Sequence, residues 1–280
     1  MIIIRSISRM VRVAQQARRQ DKAIGLVPTM GALHAGHLSL IRACRRENDI
    51  TVVSIFVNPV QFGPQEGFKK YPRTLQQDAR LCKREGVDII FFPDAKQMYP
   101  DNHRTFVAVD NLSEVLCGKS RPGHFKGVAT VVAKLFNIVS PNSAYFGQKD
   151  AQQAIIIKRM AADLNLPVKI KVLPTVREKN GLTLSSRNVY LSDQERKDAV
   201  VLSGALNLAK GLIRRKVLDS SRIIKKMARL IRTKKTARID YIWIVDPDSL
   251  RPVKRINGHC LIALAVRFGK TRLIDNATIK

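Results

Sequence analysis

Short apolar runs with little charge recur along the first part of the chain, at residues 2–4, 23–27, 51–57, 87–92 and 144–146, and residues 168–173 read as a further strand. Uninterrupted runs of this kind fill parallel strands that are covered on both faces. Between them the apolar positions change to a helical period. Met10, Val13, Ala14 and Ala17 make one stripe within residues 8–20, and Leu38, Ile41 and Cys44 make another, with Arg42, Arg45 and Arg46 turned away. Leu75, Ala79 and Cys82 follow Thr74, a residue type that caps helices, in a helix running to Arg84. Val128, Val131, Val132, Leu135, Phe136 and Val139 form the clearest stripe, and a further helix runs to about Asn165. Residues 107–109 read as a short strand, and residues 63–70 as a polar loop. Pro28 is expected to end its strand, because proline has no N–H to give the ladder. Strand and helix thus alternate, which predicts an α/β fold with a doubly wound parallel sheet.

The pattern changes after Pro174. Asp193 opens a helix that buries Val200, Val201, Ala205, Leu208 and Leu212. Residues 210–238 are markedly basic, yet Ile223, Ile224, Met227, Ala228 and Ile231 keep an apolar stripe there, so a packed helix with a cationic outer face is expected. Residues 241–245, 261–266 and 272–274 read as strands. The chain therefore divides into a domain of residues 1–175 and a smaller α+β domain of residues 176–280.

Composition changes this picture in one respect. Of 280 residues, 45% are hydrophobic and 26% charged, which are globular values, but the net charge is +28. Such an excess invites a nucleic-acid reading. No Arg/Gly repeat, zinc-finger spacing or basic tail accompanies it, so the excess is read as solvated surface, with no specific nucleic-acid partner. No apolar run reaches the roughly 18–20 residues that span a membrane. Residues 1–5 are too short for a signal-peptide core. Cys44, Cys82, Cys117 and Cys260 are far apart, which suits reduced thiols in a cytoplasm.

The candidate chemistry lies at the ends of the predicted strands. After residues 23–27 come a glycine turn and two histidines three apart, His34 and His37, at the mouth of a helix expected to begin after His37. Free N–H groups at a helix start attract anions, so two imidazoles there suit phosphate. A capping role fits the same spacing, as does half of a metal site, although no cluster supplies further ligands. Asn58 and Gln61 follow the strand at 51–57 and offer uncharged donors and acceptors. Gly147, Gln148, Lys149 and Asp150 stand between a strand and a helix, where Lys149 can reach an anion and Asp150 can cap or bind hydroxyls. Gln153 lies one turn further on the same side. Ser185, Ser186 and Arg187 form a hydroxyl-and-guanidinium loop that suits phosphate or helix capping. Residues 121–127 make a glycine-bracketed loop whose cations either meet phosphate or are solvated.

Together these motifs resemble the pantothenate synthetases, the pantoate–β-alanine ligase family. The resemblance rests on residues 26–37, 53–62, 71–74, 121–125, 146–150 with Gln152 and Gln153, and 184–188, in that order, and it ends in residues 272–276. Val60 departs from the methionine common in the family, and Asn180 from its frequent Asp-Gly turn. The resemblance implies a nucleotidyltransferase fold with a Rossmann-like N-terminal domain and a smaller C-terminal lid domain. It implies ATP-dependent joining of pantoate to β-alanine through a pantoyl adenylate, releasing AMP and pyrophosphate, in a cytoplasmic homodimer that requires Mg²⁺. It assigns His34, His37, Lys149, Ser185, Ser186 and Arg187 to catalysis, with His37 as a proton donor. It lines the ATP site with Met30, Gly31, Ala32, Leu33, His34, Ala35, Gly36, His37, Gly147, Gln148, Lys149, Asp150, Val176, Leu184, Ser185, Ser186 and Arg187. Gln61 and Gln153 become the substrate clamps. Asp78 is a candidate for Mg²⁺, whose ligands are otherwise unassigned.

Overall fold

The computed structural model describes residues 1–63 and 67–279, so residues 64–66 of the expected polar loop lie outside the described residues. The chain forms two compact units: Met1–Glu114, Gly118–Gly147 and Gln152–Pro174 make the first, and Val115–Cys117, Gln148–Ala151 and Thr175–Lys280 the second. The division expected at residues 175/176 leaves residues 115–117 and 148–151 with the first unit, whereas their packing puts them with the second.

The first unit is a six-stranded sheet in the order β1 (Ile2–Ile4), β4 (Ile89–Phe91), β3 (Ile50–Ile55), β2 (Ile24–Thr29), β5 (Ser143–Gly147), β6 (Lys169–Leu173). All its pairings are parallel. Its helices are α1 (Ile7–Arg19), α2 (Ala35–Glu47), α3 (Leu75–Arg84), α4 (His124–Val139) and α5 (Ala151–Asp163), with shorter turns between. Val27, Val53, Ile90 and Tyr145 share one core with Leu40, Ile41 and Cys44 of α2 and Cys82 of α3. Their strand neighbours Leu26 and Val52 point to the opposite face and are equally buried. There α4 lies against β2, and α1 against α4. Burial on both faces is why these strands carry no charged alternation.

Three strand and helix expectations in this unit are corrected. β2 runs through Pro28 to Thr29, paired with β3 as far as Ile55. β5 pairs with β2 only at Gly25 and Leu26, so the missing N–H of Pro28 lies beyond that ladder. Residues 107–109 form no strand; the Val107 N–H donates to Thr130 Oγ1 of α4 at 2.9 Å. The helix expected after His37 begins earlier, at Ala35.

The second unit is an antiparallel sheet of β7 (Ala237–Val245), β8 (Cys260–Phe268) and β9 (Thr271–Ile279), in that order. The helix expected from Asp193 is two helices, α6 (Asp193–Ala199) and α7 (Val201–Arg214), meeting at Val200. With α8 (Ser220–Arg232) they bury a core that includes Leu202, Leu206, Ile223, Met227, Ile231, Ile262 and Leu264. Ile224 and Ala228 are only partly buried beside it. No described helix is long and apolar enough to cross a membrane.

Candidate active site

The sheet order sets the location. From β2 the chain works outward through β3 and β4 on one side, while β5 and β6 occupy the other. The switch point is therefore between β2 and β5, and ligands of open α/β sheets bind beyond the carboxyl ends of the strands at such a point. β2 leads into the histidine loop, β3 into Asn58 and Gln61, and β5 into Gln148–Asp150.

The histidine loop is held from below. Gly31 (φ 83°) and Ala32 (φ 50°) both lie in the left-handed region. That region costs a non-glycine residue roughly 1–2 kcal/mol, so the turn needs an anchor. Asp78, 1% exposed, supplies it: Oδ2 accepts from Ala32 N–H (3.0 Å) and from the Thr74 hydroxyl (3.2 Å), and Oδ1 accepts from Leu33 N–H (2.8 Å). A Cβ on Gly31 would stand 3.0 Å from that carboxylate as well as in a strained conformation. Leu33 plugs into the core, while Met30, Gly36 and the histidines remain partly exposed and Ala35 is exposed.

His34 is the N-cap of α2, its Nδ1 accepting from Gly36 N–H at 3.2 Å, and His37 at the third helical position reaches back so that its Nδ1 accepts from His34 N–H at 3.3 Å. An accepting Nδ1 carries no proton, so each neutral ring bears its proton on Nε2. The ring centroids are 4.1 Å apart at a tilt of 36°. Capping and anion contact are thus compatible: the cap occupies Nδ1 and fixes which nitrogen can donate to a ligand at the positive end of the helix.

Gln61 is 8% exposed in the single turn Pro59–Gln61. Its Oε1 accepts from Asn58 Nδ2 (3.1 Å) and its Nε2 donates to Met30 Sδ (2.9 Å), which ties it to the histidine loop. Gln153 is half-buried in the first turn of α5, while the adjacent Gln152 is buried and donates to the Leu112 carbonyl at 2.9 Å.

Gly147 ends β5 in the first unit, the other candidates belong to the second, and β9 bonds to the segments that carry them. Asn276 Nδ2 donates to the carbonyls of Gln148 and Lys149, both at 2.9 Å, and its Oδ1 accepts from Gln148 Nε2 at 3.1 Å. The buried Asp275 takes a two-pronged pair from Arg177 (2.6 and 2.8 Å), whose Nη1 also donates to Thr183 Oγ1 at 2.8 Å. Leu184 N–H donates to the Val176 carbonyl at 3.1 Å, closing the strand-like approach to Ser185. Ser185 caps the short turn Ser186–Tyr190 by accepting from Arg187 N–H at 3.2 Å. The Lys149 ammonium and the Arg187 guanidinium bond to no other described side chain or carbonyl.

Asp78 does not fit a metal role, since its oxygens are taken by two N–H groups and a hydroxyl. Among the described residues no group of three His, Cys, Asp or Glu side chains is placed to hold a metal ion. Asp275 and Asn276 were legible only as the end of a matching motif, and Asn58 only as a turn residue; it is 1% exposed and fully bonded.

A helix start bearing two oriented imidazoles, at the switch point of a parallel sheet, defines an α/β enzyme of the nucleotide-handling class. Residues 2–278 match the family described as Pantoate-beta-alanine ligase. Curated relatives called pantothenate synthetase include those of Caldicellulosiruptor bescii, 53% identical over 100% of this chain and 99% of the relative, and Acetivibrio thermocellus, 54% identical over the full length of both. A crystal structure of pantothenate synthetase from Thermus thermophilus superposes with a TM-score of 0.94 at 42% identity, covering 99% of each chain. Pantoate-beta-alanine ligase from Francisella tularensis, crystallised with Beta-gamma ATP and Beta-alanine, gives a TM-score of 0.79 at 37% identity over 99% of this chain and 97% of that one. The chain belongs to the pantoate–β-alanine ligase family.

Proposed function

We propose that the chain condenses pantoate with β-alanine in two ATP-dependent steps. In the first, a pantoate carboxylate oxygen bonds to the α-phosphorus of ATP and the bond to pyrophosphate breaks. In the second, the neutral amine of β-alanine bonds to the acyl carbon, AMP leaves with the electron pair of the broken C–O bond, and the amine loses a proton. Both steps concentrate negative charge on phosphate oxygens, where pre-aimed donors lower the barrier most.

The observation that carries this reading is the pair of Nε2–H groups fixed by backbone bonds at Nδ1 on His34 and His37. His37 is the proposed proton donor. Lys149, Ser185, Ser186 and Arg187 are assigned to the same reaction as phosphate ligands. Gln61 and Gln153 are the pantoate clamps, neutral so that they orient a hydroxy acid without trapping its charge. A covalent route through a thiolate is disfavoured: burial pushes the Cys44 and Cys82 thiols up to about 12, and raises Cys260 as well. The Mg²⁺ that the family resemblance implies would accompany the phosphates of the nucleotide. A cytoplasmic homodimer is proposed on the same resemblance.

Isotope exchange tests the order. Labelled pyrophosphate enters ATP when pantoate and Mg²⁺ are present and β-alanine is absent. Exchange that waits for β-alanine would overturn the adenylate.

A further inference from the structure

The loop at residues 121–127 is given no phosphate role above, and its Arg121 and His124 are built into the fold. Arg121 Nη1 lies 2.8 Å from His124 Nε2, and His124 Nδ1 lies 2.8 Å from the carbonyl oxygen of Gln61. A guanidinium only donates and a carbonyl only accepts. The imidazole is therefore neutral, with its proton on Nδ1 and its lone pair on Nε2 toward Arg121. This is the opposite tautomer to that of His34 and His37. The three groups make a one-directional chain, from guanidinium through imidazole to the backbone of Gln61.

Two more contacts from the first turns of α4 converge on the same residue. Asn58 Nδ2 donates to Gln61 Oε1 and also, at 3.0 Å, to the carbonyl of Gly127. A Cβ on Gly127 would fall 2.6 Å from the Val60 carbonyl oxygen and 2.7 Å from Gln61 Cα, so the helix backbone rests directly on that peptide. Asn58 thus aims the Gln61 amide, and His124 fixes the peptide that carries it.

We propose that His124 is a positioning residue for pantoate recognition, holding Gln61 through its carbonyl in the orientation set by Arg121. This rests on the reading of Gln61 as a pantoate clamp. Removing the Nδ1 donor leaves the carbonyl without this partner and lets the peptide rotate, which moves the clamp while leaving the histidine loop on its Asp78 anchor.

Steady-state kinetics with pantoate and ATP varied separately test it, with thermal melting as the check on folding. His124→Phe keeps a ring and removes both nitrogens; it is expected to raise the KM for pantoate roughly threefold to tenfold, the effect of one neutral hydrogen bond, with the KM for ATP nearly unchanged. His124→Asn keeps an N–H near the position of Nδ1 and is expected to restore the pantoate KM. If His124→Phe fails to fold, Arg121→Met takes its place, freeing the ring to adopt the other tautomer and raising the pantoate KM alone. A folded variant with no rise, an equal rise for both substrates, or no rescue by Asn overturns the proposal. Gln61→Ala separates the two layers. If it leaves the pantoate KM unchanged, the clamp reading fails and this inference with it; if it raises that KM while His124→Phe does not, only this inference fails.

Discussion

The two units hold their functional side chains by different means. In the first, the donor itself is locked: His34 and His37 each spend Nδ1 on a backbone N–H, so the ring can neither flip nor change tautomer without breaking a cap. In the second, only the backbone is locked. Asn276 grips the carbonyls of Gln148 and Lys149, and Ser185 caps its own short turn, but the long arms of Lys149 and Arg187 keep their rotamer freedom. A locked neutral donor works by position, whereas a tethered cation works by charge. Deleting each kind should therefore fail in a different way.

The largest expected effect is at a tethered cation. Lys149→Ala removes positive charge aimed at a phosphate that gains negative charge, and should slow adenylate formation by roughly 10²–10³-fold, as for loss of an oxyanion donor. Stability should hardly change, since the ammonium touches no described partner. Rapid-quench single turnovers with ATP and pantoate measure this. An unchanged rate in a folded variant removes Lys149 from the mechanism and erases the contrast between the units.

The complementary break is under the locked donors. Asp78→Asn replaces one accepting oxygen with an NH₂ group facing the Ala32 or Leu33 N–H, in a site that is 1% exposed. Losing a charge-assisted bond and leaving a buried donor unpaired costs about 2–3 kcal/mol, which urea denaturation reads directly. Activity should fall as well, because the turn that delivers both histidines loosens. A variant as stable as the parent would mean that the left-handed residues at 31 and 32 hold without Asp78.

The centre of the parallel sheet was legible because β2, β3, β4 and β5 are buried on both faces and therefore appear as plain apolar runs. What stayed hidden depends on distant partners. The place where α2 begins was misjudged because histidine is an uncommon N-cap, and only geometry reveals the reciprocal bonds of His34 and His37. Asp78 reads as a metal ligand in sequence, since nothing local says that its oxygens serve a turn some 45 residues earlier. Lys149 was found by type and by its place after a strand. The residue that grips its carbonyl, Asn276, is 127 positions away and carries no local signal. Strand ends failed for the same reason, as with Pro28, which is tolerated because of where β5 stops.

The smallest expected effect concerns charge with no site attached. On α8, Arg222, Lys225, Lys226, Arg229 and Arg232 are exposed along one face, while Ile223, Met227 and Ile231 are wholly buried on the other. The apolar face is already used, so the helix has only charge to offer a partner, with no aromatic side chain to stack on a base. Binding to nucleic acid should then come from counterion release alone, weak at low salt and lost by moderate salt. Reversing Lys225, Lys226 and Arg229 to Glu should shift stability by no more than about 0.5 kcal/mol per site and leave ligase activity intact. Fluorescence anisotropy with labelled duplexes of unrelated sequence, titrated with salt, measures the first point, and urea denaturation the second. Sub-micromolar binding that distinguishes sequences at physiological salt would contradict it, and would give the second unit a partner that its chemistry does not require.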